Sequence, residues 1–195
     1  LTRSIILTLS AFAVLGAGAV DQLLPHAKGE DASGSRLENR NLDRRQKRIL
    51  QFDTMAGVPR PYTGSANAIR GVPGGGLPWV LSAVRGELAA DGHLELAVQG
   101  LVFDPNDPTV IERGLANQNT VPFFRAIVSC LSKDAGGAPS TVNLMTDLFP
   151  ATTGYADAGG GNSRIEAHLA LPSPCIAPIV FITSPSGAWF ASTGQ

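Results

Sequence analysis

From Val80 to Gln99 the side chains alternate between apolar and polar, and the alternation breaks at Asp91-Gly92. Val80, Ser82, Val84, Gly86 and Leu88 alternate with Leu81, Ala83, Arg85 and Glu87; beyond the break, Leu94, Leu96 and Val98 alternate with His93, Glu95, Ala97 and Gln99. A period of two is that of an extended strand with one face turned from water. Two such runs around a turn-forming pair make an antiparallel hairpin. A two-residue Asp-Gly turn would set Leu88 against Glu95 and mix the faces. A three-residue loop with Gly92 left-handed sets Leu88 against Leu94 and Val84 against Val98, so one face stays apolar. That register is expected. It places Glu87 opposite Glu95, a modest repulsion for the diagonal Arg85 to relieve. At the open end Trp79, Leu81, Leu101 and Phe103 make both faces apolar.

Further short apolar runs read as strands over Phe123–Leu131, Thr141–Phe149, Arg164–Leu171, Ile176–Thr183 and Ala188–Ser192. The last two join over Ser184-Pro185-Ser186-Gly187, with proline at the first corner of the turn. The 22 glycines and 14 prolines cluster between these runs, which suits turns better than long helices. Nothing repeats at a fixed period, so a solenoid or propeller is not expected. One short helix is expected after Asp107, with that residue as N-cap, Pro108 in the first turn and Gly114 as the stop. The segments 56–78 and 104–120 otherwise read as irregular. The pattern predicts a mainly β fold: an antiparallel two-sheet β-sandwich, immunoglobulin-like arrangements included, with one short helix in a loop.

Arg3 followed by the uncharged run Ile5 to Ala19, ending in Ala17-Gly18-Ala19, reads as a signal peptide (residues 1–19) cleaved near Ala19. Residues 20–48 are polar and without aromatics, too poor in apolar surface to offset ordering entropy, and read as a disordered pro-segment. The segment ends in Arg44-Arg45-Gln46-Lys47-Arg48, where Lys47-Arg48 resembles a dibasic processing site; a short basic helix over Leu37 to Leu50 is the alternative. The single sandwich domain then spans 49–195. Basic residues outnumber acidic ones seven to five in Val20–Arg48, and acidic outnumber basic eleven to seven from Ile49 onward. Neither balance suggests nucleic acid. No apolar tail follows Phe190, so no membrane anchor is expected in the mature form.

Cys130 and Cys175 are the only cysteines. An exported chain meets an oxidising compartment, so a structural disulfide is expected over a catalytic thiol.

Chemical motifs are sparse. Asp104, Asn106, Asp107 and Glu112 gather oxygen ligands as a calcium site would, but off the EF-hand spacing, and the N-cap already accounts for Asp107. His93 with Glu95 and Glu87, and His168 with Glu166 and Arg164, lie at outward strand positions. Paired carboxylates beside histidine do acid–base work where the environment separates them; a solvated strand face is the plainer reading. Zinc needs three or four convergent ligands and is not expected. No Gly-x-Ser-x-Gly elbow is present, and Gly74-Gly75-Gly76 lacks the Lys-Ser/Thr of a phosphate loop. Trp79, Trp189 and Tyr155 are candidate ligand contacts as stacking rings, although tryptophan on a strand is more often core.

The phrases Phe52-Asp53-Thr54-Met55, Ile69-Arg70-Gly71-Val72, Gly75-Gly76-Leu77-Pro78-Trp79, Phe124-Arg125-Ala126-Ile127-Val128-Ser129-Cys130 and Pro172-Ser173-Pro174-Cys175 resemble a family of small secreted fungal and bacterial β proteins that has no assigned activity. The resemblance spans nearly all of Gln51 to Gly194 and carries over no catalytic residue. With the dibasic site it points to a fungal source.

The expected function is that of a secreted, non-catalytic extracellular or cell-surface protein that binds a glycan or a protein partner, an effector-like role being one version. Cell-wall association, no cofactor and no catalytic residue go with it. The alternative is an extracellular hydrolase whose site is assembled from Glu87, Glu95, His93 or His168.

Overall fold

The computed structural model describes residues 47–194, so the expected signal peptide, its Ala19 site and the pro-segment as far as Gln46 lie outside the described residues. In chain order the strands are β1 (Arg48–Phe52), β2 (Ala56–Gly57), β3 (Trp79–Val80), β4 (Ala83–Ala89), β5 (His93–Gln99), β6 (Val102–Phe103), β7 (Gln118–Asn119), β8 (Phe123–Lys133), β9 (Pro139–Met145), β10 (Phe149–Pro150), β11 (Gly154–Tyr155), β12 (Ser163–His168), β13 (Ile176–Thr183) and β14 (Trp189–Ser192). Among the described residues one α-helix, α1 (Pro108–Glu112), lies between β6 and β7, and one 3₁₀ turn covers Ala156–Ala158. The mainly β, antiparallel prediction holds.

The first hairpin has the expected register. Leu88 faces Leu94, Val84 faces Val98 and Glu87 faces Glu95. Gly92 sits at φ +91°, and a Cβ there would stand 1.8 Å from the Leu169 carbonyl oxygen, so only glycine fits the loop. β1 and β12 flank the hairpin, giving a four-stranded sheet in the order β1-β4-β5-β12. Beyond Ser82 and Gly100 the hairpin parts from this sheet. Trp79 and Val80 pair separately with Phe103 and Val102, and the Leu101 N–H bonds to Gly161 O at 3.0 Å instead.

The second sheet runs β10-β8-β13-β14-β2, with β9 pairing on β8 beside β10. The strand expected over Thr141–Phe149 is therefore interrupted at 146–148, where the Thr146 hydroxyl takes the Ala126 N–H that a carbonyl would otherwise take. The expected strand Arg164–Leu171 ends at His168, and the Leu171 N–H turns back to Leu169 O at 3.0 Å ahead of Pro172. The terminal hairpin closes as expected, the Gly187 N–H bonding to Ser184 O at 3.0 Å.

Leu88, Leu94, Leu96, Val98 and Ile165 from one sheet, and Phe124, Ala126, Val128, Val180 and Ile182 from the other, belong to one buried cluster. Aromatic rings join the layers: Trp79 stacks on Phe190 at 4.0 Å and meets Phe103 at 4.3 Å, while Phe190 meets Phe124 edge-on at 5.9 Å. The disulfide between Cys130 and Cys175 is formed, with Cα atoms 4.9 Å apart, and ties β8 to the chain entering β13.

Segment 56–78, expected to be an irregular approach, is a strap across the second sheet. Trp189 donates its N–H to Pro73 O at 2.8 Å and accepts from Gly75 N at 2.7 Å. Arg70 donates to Ser129 O, and Asn143 Nδ2 donates to Arg70 O, each at 2.9 Å. Val58 and Val72 are buried with it. Cross-strand pairing puts Ile127 with Phe181 and Thr183 with Trp189 on the face away from the inter-sheet layer, and all four are buried. The second sheet is thus covered on both faces around Ile127, Phe181, Thr183 and Trp189, while its outer face opens to water at Leu131, Met145 and Ile176.

Candidate functional site: the outer face of the four-stranded sheet

Alternation along β4, β5 and β12 turns one set of side chains to solvent, and the pairing arranges that set in rows. Glu87 faces Glu95 and Glu95 faces Glu166, a row of three carboxylates with Gln51 of β1 beside Glu87. In the next row toward the turn, His93 faces His168. In the row on the other side, Ala97 lies between Arg85 and Arg164. The two histidine–carboxylate sets singled out separately from the sequence are therefore neighbours on adjacent strands.

Like charges directly opposite one another repel, and here the cations that answer them come from the flanking strands. Arg48 of β1 stands 3.4 Å from Glu87, and Arg164 of β12 hydrogen-bonds Glu95. Arg85, expected to relieve the pair diagonally, has no side-chain partner among the described residues; the edge strands do that work, Arg48 meeting the outer Glu87 and Arg164 reaching the central Glu95. The Glu87 and Glu95 side chains stay 37% and 42% exposed, so these ion pairs are screened and worth at most about 1 kcal/mol each. Glu166 and His168 are exposed. This face is open to water.

At the other end of the face is a hollow of about 350 Å³ lined by Asp53, Ala83, Val84, Arg85, Ala97 and Gln99. Its cause is legible in the register: Ala83 and Ala97 occupy outward positions on neighbouring strands where their neighbours Arg85 and Gln99 are long. Asp53 reaches the rim because β1 ends at Phe52, whose ring lies against Gly86; a Cβ there would meet that ring at 2.3 Å. Floor and rim combine an apolar base with a cation, a carboxylate and an amide, a set that fits a polar ring carrying hydroxyl or carboxylate groups. Sequence reasoning passed over Asp53 and Gln99, and the signal was the pair of alanines at outward positions.

The other candidates fall elsewhere. Trp79 and Trp189 are buried in the core, and their indoles present no face to a ligand. This corrects their reading as stacking contacts: the strap and the ring cluster claim them. Tyr155 is half exposed on β11, away from this sheet's pairing. Lys47 accepts from the Ala90 N–H at 2.8 Å, and Arg48 is paired with Ala89, so the dibasic pair begins the edge strand of the sheet. Asp107 caps α1 through the Val110 N–H at 3.1 Å and takes Arg60 at 2.8 and 3.2 Å, so both its oxygens have partners. The Arg60 guanidinium holds the Asp107 carboxyl below the usual carboxylate range, against the opposing effect of desolvation, and the Val110 N–H adds to the lowering. No cluster of three or more His, Cys, Asp or Glu side chains able to hold a metal ion occurs among the described residues.

Nothing in the described residues is a helix long and apolar enough to cross a membrane. Comparison with protein-family models, with curated proteins and with solved structures returns no match for the chain.

Proposed function

We propose that the chain is a secreted, non-catalytic extracellular protein that binds a glycan, and that the hollow bounded by Asp53, Arg85 and Gln99 receives a carboxylated sugar unit. The observation that carries this reading is Arg85: an exposed cation without a side-chain partner among the described residues, standing over an alanine floor. In this reading the guanidinium takes a carboxylate two-toothed, while Asp53 and Gln99 take ring hydroxyls. Export is supported by the apolar leader-like run Ile5–Ala19 and by the formed disulfide, which belongs to an oxidising compartment. The hydrolase alternative has less support, because His93, Glu87, Glu95 and His168 share an open face.

The test is an oligosaccharide array followed by calorimetric titration with the secreted protein. Acidic oligosaccharides should bind, Arg85→Ala should weaken them, and Ala97→Trp should abolish binding by filling the hollow. Undiminished binding by a folded Ala97→Trp variant overturns the assignment.

A further inference from the structure

We infer that β9 is a docking edge for a second copy of this chain, the two β9 strands pairing antiparallel about Asn143 so that the larger sheets of two protomers run together. The turn that opens β9 decides which main-chain groups face outward. Asp134 donates its N–H to Ala138 O at 2.9 Å, which makes 134 and 138 a hydrogen-bonded pair. Antiparallel alternation then turns Ser140, Val142 and Leu144 toward β8, and Thr141, Asn143 and Met145 away from it. The far end agrees, because the Thr146 N–H bonds to Ala126 O at 3.0 Å. The N–H and C=O groups of Thr141, Asn143 and Met145 have no main-chain partner among the described residues.

The other edges of the two large sheets carry the features that discourage pairing. β1 has a register shift after Arg48, β12 carries Arg164, Glu166 and His168, and β2 is two residues long. β9 is seven residues without a charge, and only Pro139 at its first position interrupts the outward donors. Beside it Leu131, Met145 and Ile176 remain 40%, 47% and 53% exposed.

Pairing about Asn143 suits this strand in three ways. Thr141 of each copy faces Met145 of the other, and each such pair exchanges both main-chain bonds. On the outer face the row Ile176, Leu131, Thr141 is then continued by Met145 and Ile127 of the second copy, so the apolar row runs on from one copy into the other. On the inner face Val142 of each copy meets Leu144 of the other, both half-buried in one copy alone. Charge agrees at the ends. Lys133 lies across from Pro139 at the start of β9 and Asp147 follows its end, so antiparallel pairing brings the exposed lysine end of each copy to the exposed aspartate end of the other. A pairing centred on Thr141 would set Val142 against Ser140 and bring no such charges together.

Sedimentation equilibrium of the secreted protein tests the pairing. A dimer is expected. Thr141→Pro removes an N–H that β8 does not use, so it should leave the single-copy fold intact while raising the dimer Kd about thirtyfold, the scale of two lost main-chain hydrogen bonds. Lys133→Glu should weaken the dimer and Lys133→Glu/Asp147→Lys should restore it, which decides the matter should the proline variant fail to fold. A chain that stays single up to roughly 1 mM, or that captures an unrelated extended peptide on β9 while remaining single, overturns the inference. So does a dimer indifferent to the charge reversal and its restoration.

Discussion

The two large sheets of this protein each have an outward face, and the two faces have opposite fates. On β4, β5 and β12 the outward rows are carboxylates, histidines and arginines, open to water and held by exposed ion pairs. On β8, β13 and β14 the outward positions include Ile127, Phe181 and Trp189, sealed beneath the strap 56–78. Both faces follow from the same two-residue period. What separates them is whether a distant segment brings apolar side chains to lie across the sheet. Two-sided burial is therefore concentrated around the second sheet, while the first has an outer face open to water. The covered sheet in turn has the uncharged edge, along which the proposed pairing of two copies runs.

Removing the ring beneath the strap is the strongest way to break this contrast. Trp189→Ala should cost about 3–5 kcal/mol in urea unfolding, with the cavity adding to the lost burial. Arg85→Ala on the open face should change the same measurement by less than about 0.5 kcal/mol. Equal effects would mean that the two faces do not differ as described.

Replacing Cys130 and Cys175 together by serine should lower stability by about 4 kcal/mol in the chain-entropy view, the bridge closing a loop of sequence separation 45. A marked fall in secreted yield should accompany it. An unchanged thermal midpoint would show that the bridge does not hold β8 to β13.

A smaller, pH-dependent effect is expected where the strap meets α1. Asp107 in the folded protein titrates below its unfolded value of about 3.9, so the contribution of its partner Arg60 is fully present above roughly pH 4 and is lost as the pH falls through the lower folded value. The stability difference between the native protein and Arg60→Ala should therefore shrink as acid is added below about pH 4. A difference that stays constant from neutral pH to pH 2 would remove the ion pair from the account.

The least effect belongs to the open face. Arg164→Ala should alter stability by less than about 1 kcal/mol, and by less again in high salt, because Glu95 is screened. A loss that persists in salt would imply a buried pair.

Several of these elements were legible in the chain because their causes are local. The register of the β4–β5 hairpin follows from six residues around Gly92, and the α1 cap from Asp107-Pro108. The closing turn at 184–187 and the pairing of two cysteines needed no knowledge of the rest. β1 was not read, because Arg48-Ile49-Leu50-Gln51-Phe52 is short, follows a basic stretch, and becomes a strand by laying Phe52 on Gly86, 34 positions later. The hollow was missed for a related reason: Ala83 and Ala97 make a floor only once Asp53 and Arg85 stand at its rim.

What the sequence determined alone is the extended, one-sided character of each strand and the turns between neighbours, since side-chain alternation and glycine or proline geometry act over a few residues. Tertiary structure alone decided that Trp189 is core and not a ligand contact, that the paired carboxylates meet edge-strand arginines, and which sheet face is left wet. Those outcomes depend on contacts between segments tens of residues apart, and a sheet face is dry or wet according to what lies over it, which the period of its own strands does not specify.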